Sequence, residues 1–386
     1  MEKIRDRLLE KAAQQKMPIM AALELLPVCN LSCKMCYVRK SMNYVSQNGG
    51  LMDAKQWLDF AQEAKECGLL FPLLTGGEPF LHPEFREIFS GMQKLGMQVS
   101  INSNGTMIDR ETAKWLGKNV PTRMNITLYG ASEETYQRLC GDGEAYGKVR
   151  NAVQWLKEKH IPVKFNASIT PDNVQDLQQM VNYAKSVGSP IQIATYMFPP
   201  YRRDEKMIGR NARLSPEEAG YARVMADFFQ NEPEWFLGQA ARFQKFSTPA
   251  EVSNVETEPL RMQCRAGVCS LWIDWQGNMI NCGMYGSVKI PLKGRTIKDA
   301  WEEMVQKTAD IRYAPVCARC PNRPLCHPCI AMVHNECGDS NGKPEYMCRM
   351  NQAAAYYYQK YAKRLSDIGY TRTMQESIQN HRCELE

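Results

Sequence analysis

From residue 19 to residue 200 the chain alternates short apolar runs with longer stretches whose apolar positions recur every three or four residues. The short runs fall at Ile19–Leu25, Phe71–Thr75, Gln98–Asn102, Arg123–Leu128, Val163–Thr170 and Ile191–Met197, and read as strands. Helix periodicity occupies Ala54–Cys67, Pro83–Leu95, Arg110–Gly117, Tyr146–Lys159 and Asn173–Val187 between them. Such alternation predicts parallel strands joined by crossover helices. Six units rather than eight predict an α/β fold, a partial (β/α)6 TIM barrel. In barrels of this kind the chemistry sits at the C-terminal ends of the strands.

After Met197 the pattern changes. Phe198-Pro199-Pro200-Tyr201-Arg202-Arg203-Asp204 is a stiff basic turn, read either as a solvated linker or as an arginine contact for anionic groups. Pro216–Gln230 has amphipathic helix spacing, while 231–258, with Pro233, Pro249 and Pro259 at its end, reads as loop. The expected organisation is a lead-in helix at 1–23, a barrel at 24–200 and a linker with a helical insertion at 201–258. A cysteine-rich module at 259–350 and a C-terminal helix and tail at 351–386 follow.

Composition narrows the class. The 386 residues are 44% hydrophobic, enough for a sizeable core. There is no apolar run of 18 or more, so no membrane span is expected. The start, Met1-Glu2-Lys3-Ile4-Arg5-Asp6-Arg7, is charged and helix-like, without a signal peptide's apolar centre. Fifteen cysteines in such a chain point to metal ligands in a reducing, cytoplasmic setting rather than to disulfides.

Cys29, Cys33 and Cys36 stand in Pro-Val-Cys-Asn-Leu-Ser-Cys-Lys-Met-Cys-Tyr. One loop thus offers three thiolates, one fewer than a four-iron cluster normally takes, and leaves one iron open. Leu73-Leu74-Thr75-Gly76-Gly77-Glu78-Pro79 reads as a strand ending in a paired-glycine turn. Val99-Ser100-Ile101-Asn102-Ser103-Asn104-Gly105-Thr106 is a strand running into a polar turn. In this order the segments resemble the radical S-adenosylmethionine (SAM) superfamily, with its Cys-x3-Cys-x2-Cys signature. The resemblance implies a cluster on Cys29, Cys33 and Cys36 whose open iron is chelated by SAM. It also implies a SAM-contacting set of Tyr37, Gly76, Gly77, Glu78, Asn102, Ser103 and Asn104. Asn125-Ile126-Thr127-Leu128-Tyr129-Gly130 resembles the family's next strand, but has Tyr129 where an Asp is common.

The second module is marked by cysteines. Cys264, Cys269 and Cys282, with Gly277 before the last, are followed by Cys317-x2-Cys320-x5-Cys326-x2-Cys329, then Cys337 and Cys348. The order resembles the SPASM extension of peptide-modifying radical SAM enzymes, which holds two auxiliary four-iron clusters. Carried over, the first set is Cys264, Cys269, Cys282 and Cys329, and the second is Cys317, Cys320, Cys326 and Cys348. The family usually spaces its last pair by three residues, whereas His327-Pro328 gives two, so Cys329 and Cys337 compete for one place. Two zinc ions are the alternative occupants, because cysteine spacing does not separate zinc from iron–sulfur. Cys67 reads as an inert thiol inside a helix and Cys383 as a free tail thiol. Cys140 reads as a loop thiol, and Cys140 and Cys337 are the candidate hydrogen donors.

Three clusters revise the charge. The formal net charge is +6. Eleven coordinating thiolates against three doubly charged clusters bring the holoprotein to about +1. No basic stripe with interleaved aromatics supports nucleic-acid binding.

The resemblance implies reductive cleavage of SAM to methionine and a 5′-deoxyadenosyl radical, which takes hydrogen from an unactivated carbon. It favours a peptide or protein substrate, and a cross-link, thioether or epimerised residue as product. A low-potential donor such as flavodoxin or ferredoxin is expected. With 28 residues before Cys29, leader recognition is assigned to another surface or to a separate leader-binding protein. Sulfatase maturases share the architecture, but there an Asp follows the cysteine matching Cys282, where this chain has Gly283. A small-alcohol dehydrogenase and a non-catalytic zinc or electron-transfer protein complete the alternatives, the last leaving the Gly-Gly-Glu and Asn-Gly segments unexplained.

Overall fold

In the computed structural model of the chain, residues 2–199, 202, 212–244, 262, 264–320, 322–326 and 329–367 are described. Six parallel strands lie side by side in chain order: β1 (Met20–Leu26), β2 (Phe71–Gly76), β3 (Ser100–Ser103), β4 (Arg123–Leu128), β5 (Val163–Ser168) and β6 (Ile191–Ala194). This is the expected open α/β barrel. β3 begins at Ser100 rather than Gln98, and β5 and β6 stop at Ser168 and Ala194, short of the apolar runs that predicted them.

The connecting helices start where side chains satisfy their free N–H groups. Asp53 and Gln56 form a reciprocal capping box at the head of Ala54–Glu66, and Asp109 caps Arg110–Lys118. Their apolar faces, including Trp57, Phe60, Ala113 and Leu116, bury against the sheet in one continuous core. Leaving such side chains out of water contributes about 1.5–3 kcal/mol each for the large ones.

The sheet continues past β1. β7 (Ser270–Ile273) runs parallel to it, with Met20 opposite Ser270 and Leu23 opposite Ile273. β8 (Asn278–Ile280) and β9 (Lys289–Pro291) follow antiparallel. The full order is β6-β5-β4-β3-β2-β1-β7-β8-β9. Gly277 takes φ +76° in the β7–β8 turn, where the Asp274 carboxylate accepts the Gln276 and Asn278 N–H groups. That hairpin presents Cys282 just beyond β8.

Two expectations are corrected. The stretch from 231, read as loop, contains a helix, Pro233–Phe243, begun by a proline at its first position, where no N–H is needed. Cys140 is not in a loop; it ends the helix Glu133–Cys140, which Ser132 caps and Gly141 terminates at φ +77°. Cys67 caps the C-terminus of Ala54–Glu66 and is half-buried. The helix Glu345–Asp367 returns to pack on Pro216–Gln230 and Pro233–Phe243 through Phe236 against Tyr358 and Phe228 against Tyr361. No described helix is long and apolar enough to cross a membrane. Pro200, Tyr201, Arg203, Asp204, Pro249, Pro259, His327, Pro328 and Cys383 lie outside the described residues.

Candidate active site

The three-cysteine loop follows β1 and is fastened from below. The Ser32 N–H donates to the Cys140 carbonyl at 2.8 Å and the Lys34 N–H to the Leu139 carbonyl at 3.0 Å. A helix leaves its last carbonyls without partners, and the loop uses two of them. The Cys140 thiol and the Tyr129 hydroxyl hydrogen-bond to the Cys33 sulfur, which holds Cys33 below the ordinary thiol range and Cys140 above it. Cys140 is thus buried beneath the loop as an anchor.

From the side, Asn104 closes the loop. Its Nδ2 donates to Asn30 Oδ1 at 2.9 Å and to Cys29 Sγ at 3.5 Å, and the Leu31 N–H donates to the same sulfur at 3.4 Å. Thr106 donates back to Asn104 Oδ1 from both its N–H and its hydroxyl. Asn104 itself is held by its N–H to Glu78 Oε2 at 2.8 Å, while Ser103 Oγ donates to Glu78 Oε1 at 2.9 Å. Glu78 is completely buried, and burial pushes its carboxyl up to about 7. Asn102 accepts from Asn125 Nδ2 at 2.8 Å one strand along.

The paired glycines answer to the chain itself. Gly77 and Glu78 donate their N–H groups to the Leu26 and Val28 carbonyls at 2.7 and 2.9 Å. A Cβ on Gly76, which sits at φ +136°, would lie 2.2 Å from the Leu26 oxygen, and one on Gly77 2.0 Å from the Val28 oxygen. Both positions are therefore restricted to glycine by the approach of β1's exit. Gly76, Gly77, Glu78, Ser103 and Asn104 meet around the cysteine loop. Tyr37 is half-buried on its far side, with its hydroxyl raised by burial and by Glu24.

The loop suits a cationic iron–sulfur core. Burial pushes the Cys29 thiol up to about 12, and Glu78, Cys33 and Cys36 add to the rise. Cys29 thus resists losing its proton until positive charge arrives, whereas Cys33 is already held low by its Cys140 and Tyr129 bonds, and N–H groups already point at the Cys29 sulfur.

The C-terminal cysteines gather in two neighbourhoods. Burial raises Cys282 to about 11, with Cys329 and Cys264 adding to it, and Cys264 likewise acts on Cys329 and Cys269. Cys317 rises to about 11 and Cys326 to about 12, each by burial first and then by Cys348 and Cys320, among others. Cys337 influences Cys317 and Cys348. Among the described residues no three metal-ligating side chains converge to coordination geometry.

Sequence reasoning missed Asn30, Thr106 and the anchoring role of Cys140. Asn30 and Thr106 sit inside the quoted motifs, so their signal was present. Arg202, one of the arginines offered by the basic turn, binds the buried carboxylate of Glu24.

Residues 23–184 match the Radical SAM superfamily. The chain is 22% identical over 342 residues to the AdoMet-dependent heme synthase of Methanosarcina barkeri (strain Fusaro / DSM 804), covering 85% of this chain and 95% of that protein. It is 27% identical over 173 residues to the sporulation killing factor maturation protein SkfB of Bacillus subtilis (strain 168), covering 45% and 41%. Streptococcus suis SuiB bound to precursor peptide SuiA superposes with a TM-score of 0.66 at 15% identity, over 89% of this chain and 79% of that one. At that identity the likeness is one of fold. The cysteine loop, the glycine turn locked to β1 and the matched span agree: residues 23–184 carry a radical SAM domain, and the cysteine-rich C-terminal region that follows resembles a SPASM domain.

Proposed function

We propose that the enzyme is a maturase that modifies a ribosomally made peptide. The observation that carries this reading is the single nine-stranded sheet, which binds the cysteine-rich region directly to the strand that launches the cysteine loop. Peptide chemistry is supported by the likeness of fold to SuiB, which is bound to its precursor peptide, and by the sequence match to the maturation protein SkfB.

When bound, the cluster on Cys29, Cys33 and Cys36 supplies reductive cleavage of SAM to a 5′-deoxyadenosyl radical. The chain's own part is to hold the loop still, through Asn104, Glu78 and the Glu133–Cys140 helix, and to present Gly76 and Gly77 at its rim. Tyr37, Asn102 and Ser103 complete the proposed SAM-facing set.

Two auxiliary clusters are assigned, one to Cys264, Cys269, Cys282 and Cys329, the other to Cys317, Cys320, Cys326 and Cys348. Their support is the mutual influence of these thiols. Cys337 then remains outside the ligand sets and is a better hydrogen donor than Cys140, which is committed to Cys33. The proposed organisation keeps a barrel to residue 200 and a cluster module at 259–350. A low-potential donor such as flavodoxin or ferredoxin would supply the electron, and a separate protein the leader recognition.

Formylglycine formation is disfavoured at Gly283. A Cβ there would come 2.7 Å from the Trp272 indole, so the carboxylate that sulfatase maturases carry after this cysteine has no room.

Anaerobic mass spectrometry on a short peptide encoded beside the gene and co-expressed tests the reading. Loss of two hydrogens per event, absent with Cys33→Ala, supports a cross-link or thioether. Deuterium uptake from heavy water without other mass change supports epimerisation. No change in either solvent, with SAM cleavage intact, sinks the peptide reading. A second reading, a porphyrin precursor of heme, is favoured by the near full-length match to the heme synthase. Porphyrin binding seen by absorbance, with a SAM-dependent mass change of the porphyrin, would replace the first.

A further inference from the structure

Glu24 lies near the end of β1 with its side chain entirely buried. A carboxylate that far from water is retained only with close partners. Arg202 grips it with two nitrogens, Nη1 to Oε1 at 2.5 Å and Nη2 to Oε2 at 2.7 Å. Trp272 Nε1, on β7, donates to the same Oε1 at 2.7 Å.

This group lies between the two cysteine regions. The Arg202 guanidinium sits 5.8 Å from the centroid of the Tyr37 ring, and Tyr37 follows Cys36 in the chain. Arg202 Nη1 also donates to the Gly283 carbonyl at 3.4 Å, and Gly283 follows Cys282. The Trp272 indole packs against Gly283, close enough that any Cβ there would strike the ring. One guanidinium thus touches the residue next to a thiol of each set. The Tyr37 hydroxyl is raised by burial and then by Glu24, with Cys36 and Cys282 both adding to the rise, so it lies within electrostatic reach of both thiols.

We propose that Glu24, Arg202 and Trp272 form a charge-neutral brace that holds the Cys282 site against the three-cysteine loop and sets the reduction potentials of the two sites together. The inference rests on the proposed assignment of Cys282 to an auxiliary cluster. The three side chains are positioning residues. Their carboxylate and guanidinium cancel, so neither site feels a net charge from the brace. Removing either charge leaves a buried ion within reach of both sites. An uncompensated cation favours the reduced form and an uncompensated anion the oxidised form.

Reconstituted holoenzyme, titrated anaerobically and followed by electron paramagnetic resonance, tests this. Glu24→Gln keeps the shape and leaves the guanidinium unbalanced, so both midpoint potentials are expected to rise. Arg202→Gln is expected to lower both. The double variant Glu24→Gln/Arg202→Gln restores neutrality, and both potentials should return towards wild type, an outcome that a merely structural role does not give. Potentials that stay put in both single variants, with iron content intact, overturn the brace, as does movement of one potential alone. A double variant displaced as far as the single ones overturns the charge argument. Cys282→Ala separates the two readings: unchanged iron content and spectrum in that variant sink the auxiliary cluster itself, whatever the brace does.

Discussion

The two cysteine regions are held in different ways. The loop of Cys29, Cys33 and Cys36 is tied to its surroundings by protein atoms on several sides: the Leu139 and Cys140 carbonyls, Asn104 and Tyr129. Around Cys264, Cys282 and Cys329 the apolar support is a small cluster of Tyr285, Tyr313, Ile330, Ala331 and Val333, separate from the main core. Cys264 is exposed, and the bond to the Cys282 sulfur is a local one from the Met284 N–H at 3.4 Å. The first region is preorganised by the fold. In the second, among the described residues, the long-range polar ties end on neighbours of the cysteines, at Gly283, Met284 and Glu336, rather than on the sulfurs of Cys264, Cys282 and Cys329, and bound metal would contribute a large share of its stability.

The largest effect expected is on catalysis. Cys33→Ala removes one of three ligands from a loop that the fold still holds, so SAM cleavage should fall to background while circular dichroism stays native. An unfolded variant would show that the loop depends on its metal as much as the other region does, and the contrast would vanish.

Iron removal tests the same contrast from the other side. Anaerobic chelation should raise hydrogen exchange across 264–290 and 311–337 while β2 to β5 keep their protection. Equal loosening of both regions would break the comparison.

A third test uses Glu78, whose buried carboxyl has a native pKa raised from 4.5 to about 7. Such a group binds its proton more tightly when folded, so its stabilisation is full below pH 4.5 and is lost as pH rises to 7. The change amounts to about 3 kcal/mol over that window. Glu78→Gln should flatten this part of the pH–stability curve in urea unfolding. A slope unchanged in the variant would assign it to other groups.

How far the sequence announced all this differs by element. The strands β1 to β6 were legible because each is a short apolar run between helix-periodic stretches. The SAM-facing loops were legible because their residues are contiguous. Pairing of β7 with β1 was not, since it joins segments about 250 residues apart and parallel pairing leaves no local mark. The Glu24–Arg202 pair was hidden for the same reason, as Glu24 reads simply as one polar position in an apolar strand. The helix ending at Cys140 was obscured by Gly141-Asp142-Gly143, which signals a turn and masks the capped start at Ser132. Pro233 carries a loop signal in the sequence, although it opens a helix.

The smallest effect sets one asparagine in each region against the other. Asn104 bridges the cysteine loop to Glu78, whereas Asn335, also buried, donates from Nδ2 to the Met284 carbonyl at 3.1 Å and to the Ala331 carbonyl at 2.6 Å. Replacing either by alanine strands buried partners and should cost about 1–3 kcal/mol in the holoprotein. The partners of Asn104 are held by the fold, so its cost should survive chelation. Those of Asn335 sit where metal is expected to do much of the holding. Its cost should shrink once iron is removed, because the bond it makes is then already loosened. Urea unfolding of both variants, with and without iron, reads the difference directly. Equal persistence of the two costs would mean that Asn335 braces a region as self-supporting as the loop, and that the turn after Cys282 is shaped by the chain alone.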